Sequence, residues 1–349
     1  MLQRAILRFT EGENLMSKKK KPPLDSSLAA SSNEGSSYAM HGKRIAQFGE
    51  CKQRSRQMGK YILEQSTSIS VKSIDGSEVH LDSKREEKLA LDILGCASFL
   101  RFHHYYTVDQ VKLVGAHTCK KTLLCPFCAR ARAAKMIQRY KERLDIVLEE
   151  NPNLVPAFLT LTVKNGDDLE ERFKHLKKSY KKLLDKRRKY LNNGRGYTEL
   201  AKSAGGVHSF EFTNNGKEGW HPHIHAIVLL EDYIDQKALS QEWEKITGDS
   251  KIVDIRKITK GNDGSMIEGL LEVFKYALKF STLKLEDNLE AYRTLRGQRL
   301  QSAYGCLWGV KVPENILEDE LEGLPYMELI YRYIDKAGYS LQELKKMTG

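Results

Sequence analysis

The stretch GGVHSFEFTNNGKEGWHPHIHAIVLL, residues 205–230, holds two runs of aromatic, β-branched and aliphatic residues around the segment NNGKEGW at 214–220. Asn and Gly accept the positive φ that a tight connection demands, so the pattern predicts two antiparallel strands joined by a turn. Side chains at i, i+2 and i+4 of a strand share a face. His221, His223 and His225 therefore project together, while Ile224 and Ala226 turn to the other side. Apolar burial accounts for Ile224 and the tail AIVLL, but not for three of the chain's ten histidines within five positions. With NNGKEGW as the loop, Thr213 faces His221 and Glu211 lies opposite His223, with Cβ atoms ~5 Å apart. Two imidazoles and one carboxylate, with coordination positions left for water and phosphate oxygens, suit Mg²⁺ or Mn²⁺ acting as a Lewis acid. The alternative is a histidine-rich strand end held by hydrogen bonds alone. A slip of one residue in the register would turn Glu211 away.

Working outward, PAFLTLTVKN (156–165) reads as a further strand, and SKIVDIRKI (250–258) as a fourth. Helical spacing is predicted over 84–102, 129–150, 167–191, around DQKALSQEWEKITG (235–248), in IEGLLEVFKYALKFST (267–282), and again near YMELIYRYIDKAGYSLQELKK (326–346). In the 167–191 segment, Leu169, Phe173, Leu176, Tyr180 and Leu183 form one stripe. Ten Lys or Arg crowd between Arg172 and Lys189, among them Lys177, Lys181, Arg187 and Arg188. They form either a solvated face or a set of phosphate contacts. Strands alternate with helices but include a hairpin, which predicts an α+β fold with an antiparallel sheet rather than a doubly wound parallel one.

The chain carries 57 Lys and Arg against 46 Asp and Glu, a net charge of +11 and a pI near 9.1. That surplus favours a polyanionic partner, nucleic acid above all. No run reaches the ~18 apolar residues of a membrane helix, and the N-terminus lacks the features of a secretory signal. The expectation is a cytoplasmic protein with no membrane partner. Residues 1–40, with SKKKKPP and SSLAASSNEGSS, read as a disordered basic leader.

Six cysteines are too few for a disulfide scaffold in 349 residues. Three of them cluster in HTCKKTLLCPFC (117–128), where a Cys-x-x-Cys turn presents two thiolates to one ion. Cys119, Cys125 and Cys128, with His117 as fourth ligand, predict a structural Zn²⁺ knuckle; a redox dithiol of Cys125 and Cys128 is the alternative. Such a knuckle would hold ARARAAKMIQRYK (129–141), whose Arg130, Arg132, Lys135 and Arg139 can approach DNA phosphate. Cys51, Cys96 and Cys306 read as isolated buried thiols.

In EVFKYALK (272–279), Glu272, Tyr276 and Lys279 fall on one side of a helix. A phenol loses its proton only near pH ~10, but a polarised phosphate and a neighbouring Lys can offset that, with Glu272 as general base. The bland reading is a core aromatic beside a snorkelling lysine.

FLTLT (158–162), HPHIH (221–225) and EVFKYALK resemble, in order and spacing, the three motifs of HUH endonucleases. More closely, they are similar to the replication initiators of small Gram-positive rolling-circle plasmids, over about 84–308. The resemblance implies an HUH-type central antiparallel sheet of about five strands with flanking helices. It also implies nicking of one strand at a plasmid double-strand origin, with Tyr276 becoming linked to the 5′ phosphate, followed by strand transfer and closure. On that reading His223 and His225 are metal ligands, Glu211 is the third, and His221 is an outer-shell residue or an alternative ligand. Glu272 activates the water that ends the cycle. The implied partners are duplex and single-stranded origin DNA, a host helicase and a DNA polymerase, with a homo-oligomer at the origin. The implied division is a helical, zinc-containing region at 41–150, a catalytic domain at 151–310 and a C-terminal helical segment at 311–349. Two readings stay open beside it: another HUH enzyme, a mobilisation relaxase or single-strand transposase, and a non-catalytic zinc-containing DNA-binding protein.

Overall fold

The computed structural model describes residues 37–68, 81–214, 216–258, 270, 273, 283–311, 321 and 323–347. The chain splits into two units, Gln3–Ala129 with Glu314–Gly349, and Arg130–Pro313. Six helices of named extent, α1 (Ser37–Ser68), α2 (Leu81–Gly95), α3 (Pro126–Glu150), α4 (Leu169–Asn193), α5 (Gln236–Thr247) and α6 (Leu285–Leu295), accompany two antiparallel sheets. The fold is α+β, as the strand and helix pattern predicts.

The unit formed by residues 130–313 is built on a five-stranded sheet in the order β6-β3-β5-β4-β7, every neighbouring pair antiparallel. Its strands are β3 (Val155–Thr162), β4 (Ser203–Asn214), β5 (Trp220–Leu230), β6 (Val253–Lys257) and β7 (Gln301–Gly305). The hairpin of β4 and β5 occupies the centre, so both its strands are bonded on both sides. Strand β7 has no sequence signature of its own. It fits because glycines face each other: Gly205 pairs with Gly305, and a Cβ on Gly305 would come within 2.1 Å of the Ala204 carbonyl. That contact explains the GG that opens the quoted stretch.

Helix α4 starts at Asp168, whose side chain accepts from the Glu171 N–H at 3.0 Å, and stops at Gly194, with φ of 71°. Its apolar stripe, Leu169, Phe173, Leu176, Tyr180 and Leu183, is buried as the periodicity requires. The stripe packs on the even-numbered face of β4. Phe173 meets Phe210 and Phe212 edge-on, with ring centroids 5.7 and 5.5 Å apart, and Tyr180 meets His208 at 4.7 Å. Ser209, Glu211 and Thr213 point to the opposite face. Helix α5 is capped by Asp235 and ended by Gly248, both inside the segment read as helical. Helix α6 is tied to the hairpin by Asn214 to Asp287 and by the Trp220 indole to Glu290, each at 3.2 Å. Leu270 and Val273 are helical and fully buried.

The other unit corrects the sequence reading in three places. The helix predicted over 84–102 ends at Gly95, and Phe99–Tyr105 is instead strand β1, paired with β2 (Gln110–Ala116). The C-terminal segment expected to be helical forms a hairpin, β8 (Tyr326–Ile334) and β9 (Gly338–Met347). These strands complete a sheet in the order β2-β1-β8-β9, so the region expected at 41–150 includes this C-terminal hairpin and yields α3 from Arg130 onward to the other unit. Tyr, Ile and Leu of YMELIYRYI fit a strand as well as a helix. The turn decides: Lys336 and Gly338 take φ of 67° and 79°, which no helix allows. Third, helix α1 begins at Ser37, inside the segment assigned to the leader; the rest of that leader, 1–36, lies outside the described residues. The core of this unit gathers Leu100, Phe102, Val111, Phe127 and Leu329 around Cys51, Cys96, Cys125 and Cys128. Among the described residues, no helix is long and apolar enough to cross a membrane.

Candidate functional site

Glu211 pairs with His223 and Thr213 with His221 across the central hairpin, the register that a NNGKEGW loop predicts. On the odd-numbered face the Glu211 carboxylate meets two imidazoles: Oε1 lies 3.3 Å from His223 Nε2, and Oε2 lies 3.2 Å from His225 Nε2. All three side chains are buried, Glu211 to 1% exposure, and one ligand atom from each falls within 4.8 Å of the others.

The outer nitrogens orient the rings. His223 Nδ1 donates to the His221 carbonyl at 3.3 Å, which leaves Nε2 as the ring atom that faces Glu211. His225 Nδ1 is hydrogen-bonded to the Thr160 hydroxyl at 3.1 Å. A lone pair facing a buried carboxylate oxygen is repulsive unless a proton or a cation lies between them. The donor set therefore fits a small divalent ion with oxygen and imidazole ligands. His221 stands on the same face but donates its Nδ1–H to Asn165 Oδ1 at 2.6 Å, outside the three-residue group.

Two partners of this face were not evident as site residues in the sequence. Thr160 orients His225, and Ser209, paired with His225 across the hairpin, donates its hydroxyl to the main-chain carbonyl of Val273. Both lie in strand alternation with residues already singled out, which was the available signal. Glu272, Tyr276 and Lys279 lie outside the described residues.

The basic residues divide. Arg132, Lys135 and Arg139 are exposed on α3, and Arg130 is half-buried. On α4, Lys177, Lys181 and Arg188 are exposed; Lys177 donates to Gln298 at 3.0 Å, and Arg188 pairs with Asp185 at 3.0 Å. Because the buried stripe of α4 faces the sheet, these side chains point away from the face that carries Glu211, with a helix and a sheet between. Arg187, read as a phosphate contact, is buried; its guanidinium donates to the carbonyls of Ser203 and Ala204 and stacks over Tyr304. It closes the start of β4 instead of meeting solvent.

In the other unit, Cys119, Cys125 and Cys128 converge as their spacing predicts, but the fourth member of the group is Cys96. His117, expected in that place, donates its Nδ1–H to the Gly95 carbonyl at 2.8 Å. Cys96 lies 23 residues before Cys119, so no local spacing rule links them.

The profile of the family described as "Replication protein" matches residues 110–324. "Protein rep" of Streptococcus pneumoniae serotype 2 (strain D39 / NCTC 7466) is 29% identical over 230 residues, 61% of this chain and 68% of that protein. "Protein rep" of a Bacillus species is 31% identical over 225 residues, 56% of this chain and 67% of that protein. A third, from Lactiplantibacillus plantarum, is 29% identical over 245 residues, 64% and 73% of the two chains. No solved structure matches. A profile that spans more than half of the chain, and that includes both the Glu211–His223–His225 face and Cys119, Cys125 and Cys128, establishes that the chain belongs to the replication protein family, the plasmid rolling-circle initiators its motifs resemble.

Proposed function

We propose that this replication protein is a metal-dependent, site-specific nickase and strand transferase acting on one strand of plasmid origin DNA. The observation that carries the reading is the convergence of Glu211, His223 and His225 on one buried face whose neighbour, Ser209, holds the carbonyl of Val273. Val273 precedes Tyr276 by three residues, so covalent geometry keeps the two Cα atoms within about 11 Å.

Glu211, His223 and His225 would hold a divalent ion, which when bound would supply Lewis acidity for phosphoryl transfer. Tyr276 is the nucleophile: its phenolic oxygen attacks phosphorus, the bond to the 3′ oxygen breaks, and the 5′ phosphate stays on the tyrosine. The phenolic proton passes to a water molecule, and the leaving 3′ oxygen acquires one to become the free hydroxyl. Lys279 offsets negative charge beside the phenol. In the closing step Glu272 deprotonates a water, which releases the protein from DNA. Arg132, Lys135 and Arg139 on α3, and Lys177, Lys181 and Arg188 on α4, contact backbone phosphates of flanking DNA. The chain requires no sequence-reading role from these side chains, since phosphate contacts position the duplex without reading it.

The test is incubation with a single-stranded origin oligonucleotide and Mn²⁺, followed by mass-spectrometric mapping of the attached residue. A 5′-phosphate adduct on Tyr276, absent in Tyr276→Phe, is the expected result. An adduct elsewhere, or equal DNA binding with no adduct in either protein, overturns the reading in favour of a non-catalytic binding protein.

A further inference from the structure

We infer that Cys96, Cys119, Cys125 and Cys128 hold one Zn²⁺ in a tetrathiolate site, with Lys52 as its buried counter-charge. The sulfur spacing carries the argument. Cys125 and Cys96 Sγ are 3.4 Å apart, Cys96 and Cys128 3.6 Å, and Cys119 and Cys128 3.7 Å. A tetrahedron with Zn–S bonds of ~2.3 Å has sulfur–sulfur edges of about 3.8 Å. A disulfide would need ~2.05 Å, and a multi-iron cluster bound by four thiolates would spread the sulfurs further apart. One small, soft, tetrahedral ion fits.

The surroundings are those of a metal site. Cys119 N–H donates to Cys96 Sγ at 3.4 Å, and the Ser55 hydroxyl lies 3.3 Å from Cys125 Sγ, outer contacts that orient thiolate ligands. Lys52, 3% exposed, places its ammonium 2.6 Å from the carbonyls of both Leu94 and Cys96. A cation so deep in a core is costly unless negative charge is near. Four thiolates around Zn²⁺ leave a net charge of −2 directly beside it. Two non-glycine residues, Ala97 and Lys120, take φ of 52° and 59° just after Cys96 and Cys119. That backbone strain persists where something over-determines it, and a shared ion does so.

The site joins sequence-distant pieces. Cys96 follows the C-terminus of α2, Cys119 follows β2, and Cys125 and Cys128 bracket the start of α3. An ion there staples the helices before the first sheet to the knuckle and contributes folding free energy to this unit.

The experiment is elemental analysis of the purified full chain, together with replacement of the bound metal by Co²⁺. One zinc per chain is expected, released by an organomercurial as the four clustered thiols among the chain's six cysteines react. The cobalt form should show the charge-transfer and visible bands of a four-sulfur tetrahedron, a readout that needs no variant. Cys96→Ser should lower zinc retention against a chelator at least tenfold, His117→Ala should leave it unchanged, and Lys52→Met should weaken it severalfold. A spectrum of three sulfurs and one nitrogen, with metal lost in His117→Ala, overturns the assignment of Cys96. Stoichiometric iron, or metal-free protein with its cysteines in disulfides, overturns the zinc site. None of these outcomes depends on nicking activity.

Discussion

The hydroxyl of Ser209 donates to the main-chain carbonyl of Val273, binding the strand that bears Glu211 to the helical segment that leads toward Tyr276. A buried hydrogen bond of this kind contributes about 1 kcal/mol. Ser209→Ala is expected to slow nicking about five- to tenfold while changing Mn²⁺ affinity less than twofold, because on the proposed reading Ser209 would position the segment of Tyr276 and not hold the ion. Single-turnover rates set beside calorimetric metal titration check this. An unchanged rate removes Ser209 from the machinery.

His223→Ala and His225→Ala should each abolish cleavage and leave duplex binding intact, since on the proposed reading these side chains would hold the ion and not the DNA. Glu211→Gln should weaken metal binding by at least tenfold. Gel-shift affinity, plasmid relaxation and metal titration on the same preparations separate the outcomes. Normal nicking by either histidine variant contradicts the metal assignment.

Glu272→Ala should still nick but accumulate the covalent complex, because the phenol retains its phosphate while the terminating water lacks a base. The measurement is the ratio of adduct to released product over time. Turnover equal to that of the parent protein removes the water-activating role.

Arg187 and Arg188 are neighbours in sequence with opposite expected phenotypes. Arg187→Ala removes the guanidinium donors to the carbonyls of Ser203 and Ala204, of which Ala204 keeps only the Cys306 N–H, and should lower unfolding free energy by roughly 2–4 kcal/mol. Arg188→Ala and Lys181→Ala should leave stability within about 0.5 kcal/mol and reduce the salt dependence of DNA binding by about one counterion each. Thermal melts and binding isotherms at several salt concentrations test both halves.

His208 is fully buried against Tyr180 and Phe210, and burial pushes its pKa down to about 3. The unfolded chain takes up that proton near pH ~6.5, so between the two values it binds more protons and stability rises with pH. Acidification from pH 6.5 to 5 should therefore cost about 2 kcal/mol through this residue alone. His208→Leu, of similar volume, should flatten that part of the stability profile. An identical slope in both proteins would rule out His208 as its source.

The hairpin that carries Glu211, His223 and His225 was readable because its signals are local. Strand alternation fixes which side chains share a face, and a turn of known length fixes what stands opposite, so Glu211 and His223 met as foreseen. The stripe on α4 and its Asp168 cap were equally local. The β8–β9 hairpin was misread because tyrosines and isoleucines satisfy both periods over a short run, and the choice fell to pairing with β1 and to the left-handed turn at Lys336. Arg187 was misread because a charged residue in a basic run carries no mark of burial.

From residue order and chemistry alone came the α+β class, the imidazole face, its carboxylate partner and three of the four clustered sulfurs. Three-dimensional packing settled which arginine is entombed, that the basic side of α4 lies across the sheet from Glu211, and that Cys96 and not His117 completes the sulfur group. The physical reason is the range of the forces that decide each feature. Periodicity and turns act over a few residues, whereas burial and ligand convergence depend on segments that meet only after loops of tens of residues have closed.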